Sequence, residues 1–416
     1  MTQDELRKTT VLLRGFLARY RPHLGRKEVQ ALVETYVRGL LSDTRKRNAE
    51  AMALEIGEGR VRALQRLLVS ARWNEDAVVA ERERCVAEFL GSPDGIFVID
   101  DTGFRKKGNC SCGVGRQYSG TLGKVENCQV GVFLGYAVPG RGQTLLDRRL
   151  YLQEDWFAPE TAELRARAHM PEQVVFRTKP ELALEMMEAA RRSAVPHSWV
   201  NMDTDYGKVP EFLDALHELG ECYAAQVPSS TQVWTERPET HMPRRKGGRR
   251  TRARLVKGAP KSVTVEAIVR GLPPKAFQGA ILREGEKGPI RVEVAGLKVW
   301  NKRKGFPGRE EHLVIVRRFG QKAETKYILS NAPCGTPRMA IAHAGLERWT
   351  EEQCFEQGKD DLGLGDYQTK TWPGWYRHAT LVMVAHSFLM TLEARGEKSL
   401  GTGDDTADAR SRRTGT

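Results

Sequence analysis

Ile96-Phe97-Val98-Ile99-Asp100-Asp101 is the stretch on which the fold turns. Four consecutive apolar residues, all of them β-branched or aromatic, predict a short strand buried on both faces, and two acids come directly after it. A second run of the same texture, Trp199-Val200-Asn201-Met202, ends on Asp203, with Asp205 two residues on and the pair Tyr206-Gly207 after it. Further strands are expected at 130–138, 145–152 and 222–227, and helices at 180–192 and 209–219. Strands and helices are thus mixed around a central sheet, an α/β class of fold.

Upstream, residues 5–90 carry helical texture. Leu6, Val11, Leu12, Phe16 and Leu17 recur at near-helical spacing with Arg7, Arg14, Arg19 and Arg21 between them, and Val29, Leu32, Val33, Tyr36, Val37 and Leu40 repeat the pattern. Asn74 reads as the N-cap of a helix that ends near Leu90, before Gly91-Ser92-Pro93. A helical bundle with a solvated basic face satisfies this pattern; a DNA-binding helical domain is the sharper reading. Downstream, residues 228–325 change character. The segment 242–261 (MPRRKGGRRTRARLVKGAPK) has no acid and many Arg and Lys, and strands are expected at 262–269, 290–299 and 313–317, which makes a basic β-rich insertion. A buried strand returns at 326–331, then helices at 337–361 and 379–394. The expected division is 1–92, 93–227, 228–325, 326–395 and a disordered tail at 396–416, whose only large apolar residue is Leu400.

The 416 residues carry 66 Lys and Arg against 53 Asp and Glu, a net charge of +13 that favours a polyanionic partner, nucleic acid before membrane. The most apolar stretch, 381–392, holds His386 and Ser387 and is too short to span a bilayer, so a buried core helix is expected there. The N-terminus MTQDELRKTT has no apolar signal-peptide core, and the seven cysteines are scattered, so a reduced cytoplasmic protein is the expectation. Cys110, Cys112 and Cys128 match no common zinc spacing and are read as small buried residues. Phosphate-cradling and dinucleotide-binding glycine patterns are missing, as are HExxH and GxSxG.

The informative residues are carboxylates. A buried Asp needs a cation or a hydrogen-bond partner, and capping a strand or turn is the structural alternative for each. A third acid, Glu352, lies in a helical stretch between Arg348 and Lys359. At about 100° per residue the three fall within roughly 40° on one helix face. A solvated salt-bridge face would also give this spacing. Two Asp at strand ends and one helical Glu form a set able to hold two divalent cations for in-line phosphoryl transfer.

Four blocks of this chain resemble the DDE transposases of bacterial insertion sequences. They are Val98-Ile-Asp-Asp-Thr-Gly-Phe-Arg-Lys-Lys-Gly108, Gly115-Arg-Gln-Tyr-Ser-Gly-Thr-Leu-Gly-Lys-Val-Glu-Asn-Cys-Gln129, Asp203-Thr-Asp-Tyr-Gly207, and Arg348-x3-Glu352-x6-Lys359 continuing through Gly363-Leu364 and Trp375-x2-His378. The last matches the family's Y-x2-R-x3-E-x6-K signature except that Gly345 stands at the Tyr position. The resemblance implies an RNase H-like mixed sheet flanked by helices, with an N-terminal helical domain and a β-rich insertion. It implies Asp101 (Asp100 as fallback), Asp203 and Glu352 as catalytic metal ligands for Mg2+, for which Mn2+ can substitute. It implies Arg348 and Lys359 beside the cut DNA, and an insertion that holds transposon ends through Arg244, Arg245, Lys246, Arg249, Arg250, Arg252 and Arg254. Trp300 and Trp349 are candidates to stack on a flipped base, with core packing as the commoner fate. The implied activity cleaves transposon ends and joins the 3′-hydroxyl to target DNA. The implied partners are double-stranded terminal inverted repeats, target DNA and a second subunit in a homodimer on paired ends, with no membrane. Two rival functions remain: a transposase-derived protein that binds DNA without cutting, and an RNase H-like nuclease acting on RNA or hybrids.

Overall fold

The computed structural model describes residues 3–56, 59–120, 123–242, 254–283, 288–318, 324–346 and 354–395. The chain opens with helices α1 (Gln3–Ala18), α2 (Arg21–Leu24), α3 (Lys27–Leu40), α4 (Ala49–Glu55), α5 (Val61–Val69) and α6 (Glu75–Phe89). Strands β1 (Ile96–Arg105), β2 (Gly115–Ser119), β3 (Lys124–Val138) and β4 (Gly142–Tyr151) come next, then α7 (Ala162–Arg167) and α8 (Lys179–Arg192). After them stand β5 (Trp199–Met202), α9 (Thr204–Gly207), α10 (Pro210–Glu218), β6 (Tyr223–Val227), β7 (Gln232–Trp234), β8 (Thr240–His241), β9 (Arg254–Leu255), β10 (Val263–Thr264) and α11 (Val265–Gly271). Strands β11 (Gln278–Arg283), β12 (Ile290–Arg303), β13 (Phe306–Arg318) and β14 (Glu324–Ser330) precede α12 (Arg338–Leu346) and α13 (Trp372–Ala394).

These elements form two compact units. The first holds residues 1–95, 100–197 and 350–416; the second holds 96–99 and 198–349. Strand β1 contributes its first four residues to the second unit and the rest to the first.

In the first unit β3 is the spine: β2 pairs antiparallel with its residues 124–128 and β4 antiparallel with its residues 130–138. From Cys128 to Val138 every β3 residue is buried, and from Val130 on the run carries no charged or amide side chain, as suits a strand covered on both faces. Helix α13 packs on β4, α6, α3 and α5. Every residue from His378 to Phe388 is buried, its polar side chains included, so the helix is enclosed by protein on all faces. Leu381, Val382, Met383, Val384 and Phe388 join Tyr36, Val37, Leu64 and Leu67 in one core. The expected core helix is present and begins earlier, at Trp372, where Thr371 caps it by accepting the Gly374 N–H. The Asn74 cap is also present, accepting from the Ala77 N–H. Among the described residues no helix is long and apolar enough to cross a membrane.

In the second unit the first residues of β1 run parallel to β5, and β5 parallel to β6. Strand β14 then pairs antiparallel with β6, β13 with β14, and β12 with β13. Helix α12 lies on this sheet, burying Ile341, Ala342 and Ala344 against Val294, Val314 and Ile328. Parallel strands beside an antiparallel meander, with helices packed on them, give the large mixed α/β sheet expected of an RNase H-like fold.

Local expectations of strand and helix extent differ from the structure at β1, at 262–269 and at 337–361. The strand expected to stop at Ile99 runs on through both acids to Arg105. Asp is disfavoured in strands, but the Asp100 carboxylate accepts the Asp101 N–H at 2.8 Å, and Thr102 and Phe104 continue the buried alternation. The strand expected at 262–269 is only Val263–Thr264; helix α11 takes over, because the Thr264 hydroxyl accepts the Ala267 N–H and Val265 and Val269 bury one face four residues apart. The helix expected over 337–361 is helical at 338–346, and Gln357–Asp361 is wound as a π-helix. Residues 347–353 lie outside the described residues, as does the tail 396–416.

Candidate active site

The strand alternation of β1 places Asp101 on one face and Asp100 with Thr102 on the other. Asp101 meets Lys179, the first residue of α8, whose ammonium lies 2.9 Å from Oδ2. On the opposite face the Lys359 ammonium donates to the Thr102 hydroxyl at 2.5 Å. Burial holds the Lys359 ammonium below its ordinary value, opposed by the charges of Asp360 and Asp100. The two neighbouring acids therefore answer to different cations, and only one of them can serve a given ligand set.

Lys359 belongs to the π-helical turn Gln357–Asp361, so the 100° arithmetic that put it on one face with Arg348 and Glu352 does not carry through to it. Arg348 and Glu352 themselves, with Trp349, lie outside the described residues. The chain just beyond Glu352 is firmly anchored: Cys354 and Phe355 are buried, and the Phe355 ring meets Phe133 of β3 edge-on at 5.3 Å.

In the second unit Asp203 is the N-cap of α9, its Oδ1 accepting from the Asp205 N–H at 2.8 Å and the Tyr206 N–H at 3.3 Å. Tyr206-Gly207, expected as a turn, is helical. The capping alternative for Asp203 is thus realised, which fixes the direction of its carboxylate just past β5. Gly345, at the family's Tyr position, is buried near the end of α12. A Cβ there would lie 2.7 to 3.0 Å from three side-chain atoms of Ile328, and the Gly345 carbonyl accepts from the Gln226 amide at 2.9 Å. Close packing on β14 leaves no room for a tyrosine, which accounts for the departure.

The second family-like block acts as scaffold. Asn127 donates to the carbonyls of Lys106 and Gly108, and so holds the loop after β1. Gln117 donates to the Cys128 carbonyl, and the Tyr367 hydroxyl donates to the Gln129 side-chain oxygen at 2.9 Å. Lys106 sits 3.5 Å from the Tyr367 ring centre, and burial pushes its ammonium down to about 8. His378, the last residue of the fourth block, is fully enclosed: Tyr36 Oη donates to Nδ1 at 2.8 Å and Nε2–H donates to the Gly363 carbonyl at 3.1 Å. Cys112 and Cys128 are buried as expected, whereas Cys110 is exposed.

Of the basic insertion, Arg254 is an exposed residue of β9, which pairs with β8; Arg244, Arg245, Lys246, Arg249, Arg250 and Arg252 lie outside the described residues. Trp300 is partly buried on β12, in register with Trp234 of β7. Sequence reasoning missed Lys179. The signal was present as Thr178-Lys-Pro-Glu181, a capping box that fixes a helix start and therefore the position of its first side chain.

The Mg2+ implied by the resemblance calls for hard oxygen donors, and of the acids proposed for it Asp101 and Asp203 are described. Asp101 already holds a positive charge, the Lys179 ammonium standing in for a cation at Oδ2. Asp203 presents a carboxylate oriented by two backbone N–H groups. Among the described residues no cluster of three or more His, Cys, Asp or Glu is arranged to hold a metal ion, and the third acid proposed for the set, Glu352, is not among them.

Two comparisons with known proteins bear on this site. The chain is 24% identical over 344 residues to a protein named "Probable transposase for insertion sequence element IS701" from Microchaete diplosiphon, covering 80% of this chain and 76% of that one. A profile of the family described as "DDE superfamily endonuclease" matches residues 19–289, a span that encloses Asp100, Asp101 and Asp203 and ends before Glu352. With well over half its length matched, the chain belongs to the DDE superfamily endonuclease family.

Proposed function

We propose that this protein is a transposase that cleaves the ends of an insertion sequence and joins the freed 3′-hydroxyl to target DNA. The observation that carries the reading is the conjunction of DDE endonuclease membership with a relative named as a probable transposase over most of both chains. The acids support it, since one lies on the first strand of the sheet and one directly after β5.

In this reading Asp101 (Asp100 as fallback), Asp203 and Glu352 hold divalent metal ions, Mg2+ with Mn2+ as a substitute. Bound there, such ions activate the attacking water or hydroxyl and stabilise the leaving oxygen. The chain's own residues do the remaining work. The Asp203 cap keeps its carboxylate aimed before substrate arrives. Lys359, held against Thr102, and Arg348 lie on the segment flanking Glu352 and neutralise the phosphates beside the cut. Arg244, Arg245, Lys246, Arg249, Arg250, Arg252 and Arg254 grip the backbone of the transposon end, so binding weakens steeply with salt. The N-terminal region 1–92 reads the terminal inverted repeats, the core at 93–227 and 326–395 carries the chemistry, and the insertion 228–325 contacts DNA and the second subunit of a homodimer in the bacterial cytoplasm.

The test is Glu352→Gln on labelled end DNA in Mg2+. The variant is expected to shift the DNA in a gel and leave it uncut. Cleavage near the wild-type rate would remove Glu352 from the mechanism. Wild-type protein that shifts the DNA but never nicks it would leave only a DNA-binding protein.

A further inference from the structure

The hairpin of β2 and the start of β3 has an inner side that is scaffold and an outer side that exposes apolar surface. Tyr118 and Val125 stand directly opposite each other in the register, and they are 56% and 53% exposed. Large apolar side chains exposed singly are ordinary, but an exposed cross-strand pair makes a patch. The next pair on the same face is Arg116 opposite Asn127. Arg116 is exposed, and Asn127 draws the loop after β1 toward this face by donating to the Lys106 and Gly108 carbonyls, which brings the exposed Lys107 beside it. Lys124 and Arg105, both largely exposed, share Glu126. From Gly103 to Gln129 the chain has five Lys and Arg and a single acid, Glu126. The inner side holds the hairpin in place. Gln117 and Ser119 are buried, and Ser119 packs so closely on Gly103 of β1 that a Cβ there would collide with it. The patch is therefore docked on β1 two residues beyond Asp101.

We propose that this outer face is a platform for unpaired nucleotides of a DNA strand: the Tyr118 ring, backed by Val125, stacks on an exposed base, and Arg116 and Lys107 hold the phosphates beside it. This rests on the reading of the protein as an enzyme that acts on DNA. Charge decides the class of partner. An excess of cations around an apolar pair suits a polyanion that also has flat apolar faces, and nucleic acid is the polymer with both. Lys124 and Arg105, partly engaged by Glu126, add to the field that draws such a strand in. Exposure decides the form of that partner. A paired duplex hides its base faces in the stack, so a tyrosine ring standing clear of the surface finds a flat face only where the strand is unpaired. Because the hairpin is already docked, little ordering is needed when the base arrives. A strand held on this face stays close to the β1 segment that carries the candidate acids, so the platform keeps nucleotides near the cut apart from their complement.

The experiment is fluorescence anisotropy of the full-length chain with two labelled end duplexes, one fully paired and one with a short unpaired stretch, in a chelator so that nothing is cut. Wild type is expected to bind the partly unpaired DNA more tightly. Tyr118→Ala is expected to bind that DNA roughly tenfold more weakly than wild type while holding the paired duplex about as well, and Tyr118→Phe, which keeps the ring, to stay near wild type on both. Arg116→Gln is expected to weaken both DNAs and to lower the slope of log affinity against log salt by about 1. A far-ultraviolet spectrum and a urea midpoint check each fold, and should Tyr118→Ala misfold, Tyr118→Gln carries the same comparison. Equal binding of the two DNAs by wild type, or an equal loss on both by Tyr118→Ala, overturns the platform. So does a change in subunit number in the ultracentrifuge with DNA binding intact, which would make the patch a protein contact. Wild type that binds neither DNA removes the transposase reading and the platform with it. Wild type that binds both, with Tyr118→Ala matching it on each, removes the platform alone.

Discussion

Two histidines sealed into the first unit make its stability depend on pH in a calculable way. His378 and His386 both lie on α13, and burial pushes each imidazole down to about 4. Neighbouring charge adds to this, from Lys106 at His378 and from Arg82 at His386. His386 is also tied on both nitrogens, Nδ1 lying 3.1 Å from the Thr144 hydroxyl and Nε2 2.8 Å from the Gln357 side-chain oxygen. In the unfolded chain each imidazole titrates near its ordinary value of about 6.5. Between the two values the unfolded state binds more protons, so stability is fully present above about pH 7 and falls as pH drops toward 4. Integrating from pH 7 to pH 5 gives a loss of about 2 kcal/mol per histidine, or about 4 kcal/mol for the pair. Urea unfolding at both pH values, for wild type and for the His378→Gln, His386→Gln double variant, isolates the effect because every other titrating group is common to both. Wild type should lose about 4 kcal/mol more than the double variant on acidification, and each single variant about 2 kcal/mol more. Equal losses in wild type and double variant would show that the imidazoles are not held neutral by burial, and would refute the packing of α13 against β4, α3 and α6.

Asp203→Asn keeps the oxygen that caps α9, so it should unfold at a urea midpoint near wild type while losing end cleavage; Asp203→Ala should also lose about 1 kcal/mol of stability with the cap. Gly345→Tyr, which restores the family residue, should destabilise the second unit by about 1–3 kcal/mol through overpacking on Ile328, measured by urea unfolding. Replacing Arg249, Arg250 and Arg252 with Ala should flatten the plot of log affinity against log salt by up to about 3 units, and an unchanged slope would mean that they touch no phosphate.

Much of the scaffold is legible locally. Runs such as Ile96–Ile99 and Trp199–Met202 announce buried strands, Asn74 announces a helix start, and the apolar stretch around Val382 announces a core helix, because periodicity, capping and transfer from water act over a few residues. The candidate acids are legible too, as polar residues against apolar runs that demand a partner. Which partner each has is a different kind of fact. Sequence cannot say that Asp101 turns to Lys179 while Thr102, one residue on, receives Lys359 from 257 residues away, because each answer depends on which element packs on which face of β1. The same holds for the continuation of β1 to Arg105, where long-range partners outweigh the poor strand propensity of two aspartates, and for Gly345, whose lack of a side chain makes sense only against Ile328 of a neighbouring strand. Local chemistry wrote the elements and the candidate acids; the tertiary structure chose their counter-charges, since electrostatic partners are selected by proximity in space and not along the chain.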